Sequence, residues 1–372
     1  MTAFPVAYSE AVDWTDIVRD LAAGLGAPEA PGGGLGVLYL TDTFADDFTA
    51  IAEGLKAATG VDTWVGTLGL GVVANEKSAF DRPAAAAMLV DIGSDAYRLI
   101  ARTPIPDRWP DELMRWAETV NPMCGLVHAD GTTPALAELV ETLAKRSGAY
   151  LVGGLTCSRT AQHQLAADLG AGGVSGVLFA PDVPVTVGLT QGCSPLGPGR
   201  EVTAGDGNII SEIDGRPALE VFKEDIGEML AHDLQRVAGY VHVAFPVSGS
   251  DDGADYMVRN LMAIDPANGL LGVATEIAPG DRIMFVRRDP MSAQKDLQRM
   301  VDDVKKRMPG PARGAVYVSC VARGPDMFGS ESAEAEMISE HLGEVPVVGF
   351  YAGGEISNDR LYGYTGVLLT FG

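Results

Sequence analysis

The sequence predicts a mixed α/β protein of the α+β kind, in which repeated strand-helix-strand-strand units pack with a central antiparallel β meander in two lobes. Three observations predict it. One strand-helix-strand-strand pattern recurs at three places along the chain. Each copy carries a glycine behind an apolar residue near the end of its middle strand, at Gly66, Gly153 and Gly349. Between the second and third copies lies a stretch of short apolar runs separated by Gly, Pro and Asp turns.

The first copy opens with GLGVLYLTD (34–42), passes through a helix, and reaches VDTWVGTLGLG (61–71) and AAAAMLVDIG (84–93). Thr43 with Asp46 fits a capping box, and Phe44, Phe48, Ile51 and Leu55 fall on one helical face. The second copy runs CGLVHAD (124–130), helix, AYLVGGLTCSR (149–159), GGVSGVLFA (172–180). Thr133 is placed to cap its helix with Pro134 at the first helical position, ahead of Leu136, Leu139, Val140 and Leu143.

The third copy reads RGAVYVSC (313–320), helix, VPVVGFYAGGEI (345–356), GYTGVLLTFG (363–372). Ser330 precedes Glu331 and Glu334, acids suited to a first helical turn, and Ala333, Met337, Ile338 and Leu342 form the apolar stripe. The three glycines sit at similar offsets from Leu38, Val127 and Val318, which gives Gly349 a structural reason independent of any ligand. What is particular to the third copy is AGGE, where the first has LGLG and the second LTCS. The segments 183–195, 200–222, 239–247, 256–277 and 281–289 read as the strands of the meander, and 293–308 as a helix leading into the third copy.

With 372 residues the chain has room for two or three domains. The formal charge of −23 opposes a nucleic-acid backbone or an anionic membrane surface and leaves neutral or zwitterionic ligands open. The N-terminus has neither a basic segment nor an apolar core, and no run of 18 or more apolar residues occurs, so a cytoplasmic protein without membrane insertion is expected. Cys124, Cys157, Cys193 and Cys320 form no C-x-x-C pair, which points to buried thiols rather than disulfides or zinc. The five histidines show no metal-binding spacing. PGGGLG (31–36) precedes a strand, so it is not a dinucleotide loop, and no nucleophile elbow or P-loop is present.

The candidate ligand-binding residues are Arg323, Gly353, Gly354, Glu355, Arg259 and Cys320. Two glycines permit a tight turn and a close ligand approach, and Glu355 can accept charge-assisted hydrogen bonds from an ammonium. Arg323 follows its strand by three residues and can grip a carboxylate with two parallel donors. If the first and middle strands are parallel neighbours, both groups lie at the sheet edge where open α/β sheets bind ligands. The competing reading is a plain structural ion pair behind a solvated turn. Arg259, in YMVRN, is a candidate for the same cleft, whereas Cys320 is either a reactive thiol or inert packing.

These segments together resemble the FIST sensory family, built of FIST-N and FIST-C domains. GAVYVSCVARG resembles its strand ending in Cys-x-x-Arg-Gly, GFYAGGEI its Gly-Phe-x-x-Gly-Gly-Glu-Ile segment, and LYGYTGVLLTF its closing strand. YMVRNLMAIDP and APGDRIMFVRRD resemble the body of FIST-C. The chain departs from the family in holding Tyr362 where a Leu-His-Gly closing motif has histidine, and VGTLGLGVVANE lacks the Gly-Cys-Ser/Thr-x-x-Gly-Glu form. The resemblance implies a FIST-N-like domain over 34–215 and a FIST-C-like domain over 216–372. It implies a small-molecule sensor, with an amino acid as the suggested ligand. The sequence ends in the third copy's final strand, so a separate signalling protein is the expected partner, and the lack of a recognisable nucleophile–base pair leads to the expectation that it is not an enzyme. The alternatives are a haem-linked redox or nitric oxide sensor, and an enzyme acting on a small metabolite.

Overall fold

The computed structural model describes residues 2–26, 34–106, 108–237, 240–247 and 255–372, so PGG at the head of PGGGLG lies outside the described residues. The chain parts into two compact units, Met1–Gln191 with Gln294–Gly372, and Gly192–Ala293. The first unit holds all three copies.

In chain order, the first copy comprises β1 (Val6–Ser9), α1 (Trp14–Leu25), β2 (Leu35–Thr41), α2 (Phe48–Thr59), β3 (Trp64–Gly69), the hairpin β4 (Gly71–Ala74) and β5 (Lys77–Phe80), and β6 (Ala85–Val90). The second comprises β7 (Tyr97–Thr103), α3 (Asp111–Val120), β8 (Cys124–Ala129), α4 (Leu136–Ser147), β9 (Tyr150–Leu155), the hairpin β10 (Gln164–Leu165) and β11 (Leu169–Gly170), and β12 (Val174–Phe179). Then come β13 (Val185–Gln191) and the second unit: β14 (Cys193–Pro195), β15 (Arg200–Asp206), β16 (Ile209–Ile213), β17 (Arg216–Pro217), α5 (Ala218–Ile226), α6 (Glu228–Ala231), α7 (Leu234–Val237), β18 (Val241–Pro246), β19 (Tyr256–Asp265), β20 (Leu270–Val273) and β21 (Arg282–Arg288). The helix α8 (Pro290–Arg307) leads to the third copy: β22 (Gly314–Cys320), α9 (Gly324–Phe328), α10 (Ala333–Leu342), β23 (Val347–Ala352), the hairpin β24 (Glu355–Ser357) and β25 (Arg360–Tyr362), and β26 (Thr365–Phe371).

Each copy builds one six-stranded sheet on the same plan. Its first strand runs parallel to its middle strand, β2 with β3, β8 with β9 and β22 with β23. On the other side the first strand pairs antiparallel with the last, and a further strand (β1, β7 or β13) pairs with that one. The sixth and fifth places are filled by a hairpin from another copy. The hairpin of copy one joins the sheet of copy three, that of copy three joins copy two, and that of copy two joins copy one.

The register repeats as closely as the order. Gly66 lies opposite Leu38, Gly153 opposite Val127 and Gly349 opposite Tyr317, one residue before the Val318 that sequence offsets indicate. On their other side the same glycines face residues of the donated hairpins, Leu165, Ile356 and Val73. A β-carbon added to these glycines would sit 1.8, 1.7 and 1.9 Å from the carbonyl oxygens of Leu38, Val127 and Tyr317. No side chain fits there, which is why glycine recurs.

One core draws on all three sheets, with Val37, Tyr39 and Val65, then Leu126, Val152 and Val177, then Val316, Val318, Val348 and Phe350. At its heart Tyr39 stacks on Phe350 at 4.7 Å, and its hydroxyl lies 3.1 Å from His128 Nε2. Burial pushes the His128 imidazole down to about 3, so it is neutral at physiological pH. The opposite faces carry helices: α1 and α2 pack on Leu38, Leu40 and Leu68, while α3 and α4 pack on Val127, Ala129 and Leu151.

Several sequence expectations change. Val185–Gln191, read as part of the meander, is an edge strand of the third copy's sheet, paired along its length with β26. PALEVF, also read there as strand, opens helix α5, because Val221 and Phe222 fill the second unit's core. Neither of the two expected caps forms, since the Thr43 and Thr133 side chains are used elsewhere. Thr43 meets Thr41, Thr133 accepts from the Gly173 amide at 2.7 Å, and Ser332 rather than Ser330 precedes α10 and accepts from Ser78. The second unit is the expected antiparallel meander, closed into a barrel by the pairing of β18 with β21. Among the described residues no helix is long and apolar enough to cross a membrane.

Gly349→Ala must push a backbone carbonyl aside, so it is expected to cost more than about 3 kcal/mol or to prevent folding. Gly353→Ala meets only ordinary contacts at 3.4 Å and beyond and should stay within about 1 kcal/mol of the parent. Urea denaturation of the two variants checks the contrast.

Candidate functional site

The C-terminal ends of β22 and β23 bring Cys320, Arg323, Gly353, Gly354 and Glu355 into one region. Cys320 lies opposite Ala352 in the parallel pair, and the Arg323 amide bonds back to the Cys320 carbonyl at 2.8 Å, turning the chain into α9. Gly353 and Gly354 carry the chain into the neighbouring sheet, the Gly353 amide donating to Leu155 O at 3.0 Å and Gly354 O accepting from the Leu155 amide at 2.8 Å. AGGE is therefore the entrance to a donated hairpin. The first copy's LGLG serves the same purpose, with Val72 lying opposite Phe350 as Glu355 lies opposite Gly154.

Arg323 is wholly buried, and its partner is Glu334, at 2.9 Å from Nε to Oε1. Glu334 also accepts from the Tyr317 hydroxyl at 2.8 Å and from the Ser319 hydroxyl at 2.7 Å. The Phe328 ring covers the guanidinium at 5.0 Å. Arg323 Nη1 and Nη2 have no hydrogen-bond partner among the described residues. Sequence reasoning placed Glu334 in a first helical turn and missed its role. The signal lay in spacing, since Glu334 precedes Ile338 by four residues and so shares the buried face of α10.

Glu355 is likewise fully buried. Its Oε2 accepts from the Thr365 amide at 3.1 Å and hydroxyl at 2.6 Å, whereas Oε1 meets no donor in hydrogen-bond geometry. Burial raises the carboxyl to about 8, against smaller lowering effects from Thr365, the neighbouring Cys320 thiol and the Arg323 charge. Burial and Glu355 together push the Cys320 thiol well above its usual range, which is the behaviour of a packing thiol. Cys157 is half-buried and also raised, first by burial.

Arg259 lies on β19 of the other compact unit, with Nη1 donating to Val258 O at 3.0 Å. A further pair escaped sequence reasoning: Asp42, at the end of β2, takes Arg159 Nε and Nη2 at 2.8 Å each, joining copies one and two. Their separation of 117 positions leaves no local pattern to read.

Clefts occur elsewhere in the first unit. One of about 700 Å³ is lined by residues including Asn75, Lys77, Ser332, Glu336 and Ser339, and one of about 430 Å³ by residues including Tyr97, Arg98 and Leu113. Among the described residues no histidine lines either cleft, and His128 faces the Tyr39 hydroxyl.

The family follows from comparison with known proteins. Residues 34–216 match the FIST N domain and residues 218–358 the FIST C domain. The chain belongs to the FIST family. FIST domains are recognised as sensory domains, and this FIST protein carries both parts. An uncharacterised protein of Mycobacterium tuberculosis is 34% identical over 218 residues, which is 55% of each chain. An uncharacterised protein of Mycobacterium bovis is 36% identical over 203 residues, 51% of this chain and 50% of that one. The FIST chain thus spans about half the length of the curated relatives it matches. A solved cyanuric acid hydrolase of A. caulinodans is similar over 100% of the chain and 99% of its own, but at TM-score 0.29 and 9% identity, too distant to inform the chemistry.

Because the Glu355 carboxyl is raised in the fold, the unfolded chain gives up this proton at lower pH than the folded one. Its contribution therefore favours the fold below the ordinary glutamate range and is lost as pH rises towards about 8. Glu355→Gln should remove that slope, gaining on the parent by the order of a few kcal/mol between pH 5 and pH 8. Urea denaturation at the two pH values measures the difference.

Proposed function

We propose that this FIST protein is a sensor of a small zwitterion of the amino-acid class, received by Arg323 and Glu355 at the strand ends of the third copy and reported through a separate partner. One observation carries the reading: three polar atoms of complementary kind, Arg323 Nη1 and Nη2 and Glu355 Oε1, are fully buried in one region without partners among the described residues. Each unmade hydrogen bond of this sort costs about 1–3 kcal/mol, more when the group is charged. An α-carboxylate matches the two free guanidinium donors, and an ammonium matches the free carboxyl oxygen. Gly353 is exposed where the chain turns towards Glu355, and α9 lies between Gly324 and Gly329, so access is by opening of these segments.

Two expectations test it. Titration with a panel of amino acids should raise the melting temperature with concentration, as any ligand that binds only the folded state must. Arg323→Lys and Glu355→Gln should each weaken the binding at least tenfold. If no amino acid shifts the melting temperature, the assignment fails.

The second is a proton balance. Near pH 7 Glu355 is mostly protonated, and an incoming ammonium favours its ionised form, so binding releases close to one proton. Affinity should climb with pH up to about 8 and then level off. Calorimetry in buffers of different ionisation heat measures the release, and identical heats in all buffers would remove Glu355 from the contact.

A further inference from the structure

The three sheets share one register, so each position in the third copy has two internal controls. Tyr317 corresponds to Leu38 and Val127, because each lies opposite its copy's invariant-register glycine. By the same count Ser319 corresponds to Leu40 and Ala129, and Tyr351 to Leu68 and Leu155. In the first two copies these helix-facing positions are apolar and packed in their local cores. In the third they are polar, and a helix carboxylate, Glu334, is buried against them.

The fold alone does not ask for this. Two copies form the same sheet on leucine, valine and alanine, and replacing a buried ion pair by apolar residues is commonly neutral or stabilising. The geometry assigns the polar set a different use. Glu334 Oε1 takes the Nε edge of Arg323 and the Tyr317 hydroxyl, while Oε2 takes the Ser319 hydroxyl. Phe328 covers the guanidinium. What stays open is the edge formed by Nη1 and Nη2, two parallel donors that fit the two oxygens of one carboxylate.

We propose that Glu334, Tyr317 and Ser319 are positioning residues that hold Arg323 with its Nη1–Nη2 edge reserved for a ligand carboxylate. The inference rests on the sensor reading for the identity of the ligand, but the orientation of Arg323 can be measured without one. Glu334 touches no ligand in this arrangement; it acts through Arg323.

The test uses the full chain labelled with ¹⁵N, its Glu334→Gln variant, and the milder double variant Tyr317→Phe with Ser319→Ala. Exchange of the Arg323 Nε–H is followed by NMR, and binding of acetate and of methylammonium is measured separately. Acetate probes the guanidinium edge and methylammonium probes Glu355. Expected in both variants is Nε–H exchange at least tenfold faster with backbone amides of β22 still protected, together with acetate binding weakened at least tenfold and methylammonium binding unchanged. Loss of both probes in equal measure, or wild-type exchange and acetate binding in the double variant, would overturn the positioning role. If the parent binds neither probe nor any amino acid, the sensor reading falls, while the Nε–H exchange still decides whether Glu334 and its hydroxyl partners hold Arg323.

Discussion

Among the described glycines, the places with least room for a β-carbon lie where a strand carbonyl faces a glycine of the parallel neighbour, and the first unit is organised around three of them. At Gly66, Gly153 and Gly349 the middle strand comes so near its parallel neighbour that a β-carbon would overlap a carbonyl oxygen. Each of these glycines also faces a strand arriving from a different copy. Interiors are packed as tightly as crystals, so removing one side chain at this point sets the spacing of three strands at once. Everything that follows, from the shared core to the placing of Glu355, depends on that spacing.

The candidate site inherits its character from the same place. Glu355 opens a hairpin that belongs by sequence to the third copy and by hydrogen bonding to the second, and its carboxyl is enclosed because two sheets meet over it. Desolvation then governs its chemistry more strongly than the nearby guanidinium does. Arg323 is treated differently. It is held in place by a carboxylate of its own, so it keeps its charge when buried and retains donors to spare.

Much of the fold was legible. The three copies, the barrel's strands and the glycine positions follow from periodicities and turn residues that are local in sequence. The exchange of hairpins was not, because β4 with β5, β10 with β11 and β24 with β25 are two to four residues to a strand, and which sheet such a strand joins is decided by distant partners. The expected cap of α4 failed for a related reason: Thr133 satisfies a backbone amide 40 positions away rather than the end of its own helix. Of the candidate site, Arg323 and Glu355 could be picked out as charges behind buried strands. Glu334 could not be assigned to Arg323 without the register, since an acid in a first helical turn ordinarily faces water.

The cyclic exchange of hairpins also bears on how such a protein can be inherited. The two family domains meet at residues 216–218, inside the barrel unit; the N-terminal portion owns a hairpin that completes the third copy's sheet and receives the third copy's hairpin in the sheet of the second. A gene cut at that border would yield two products, each with an unfilled sheet edge and a hairpin lacking its berth. In this chain, exchange of one half without the other is thereby penalised, and the two halves form a single heritable part.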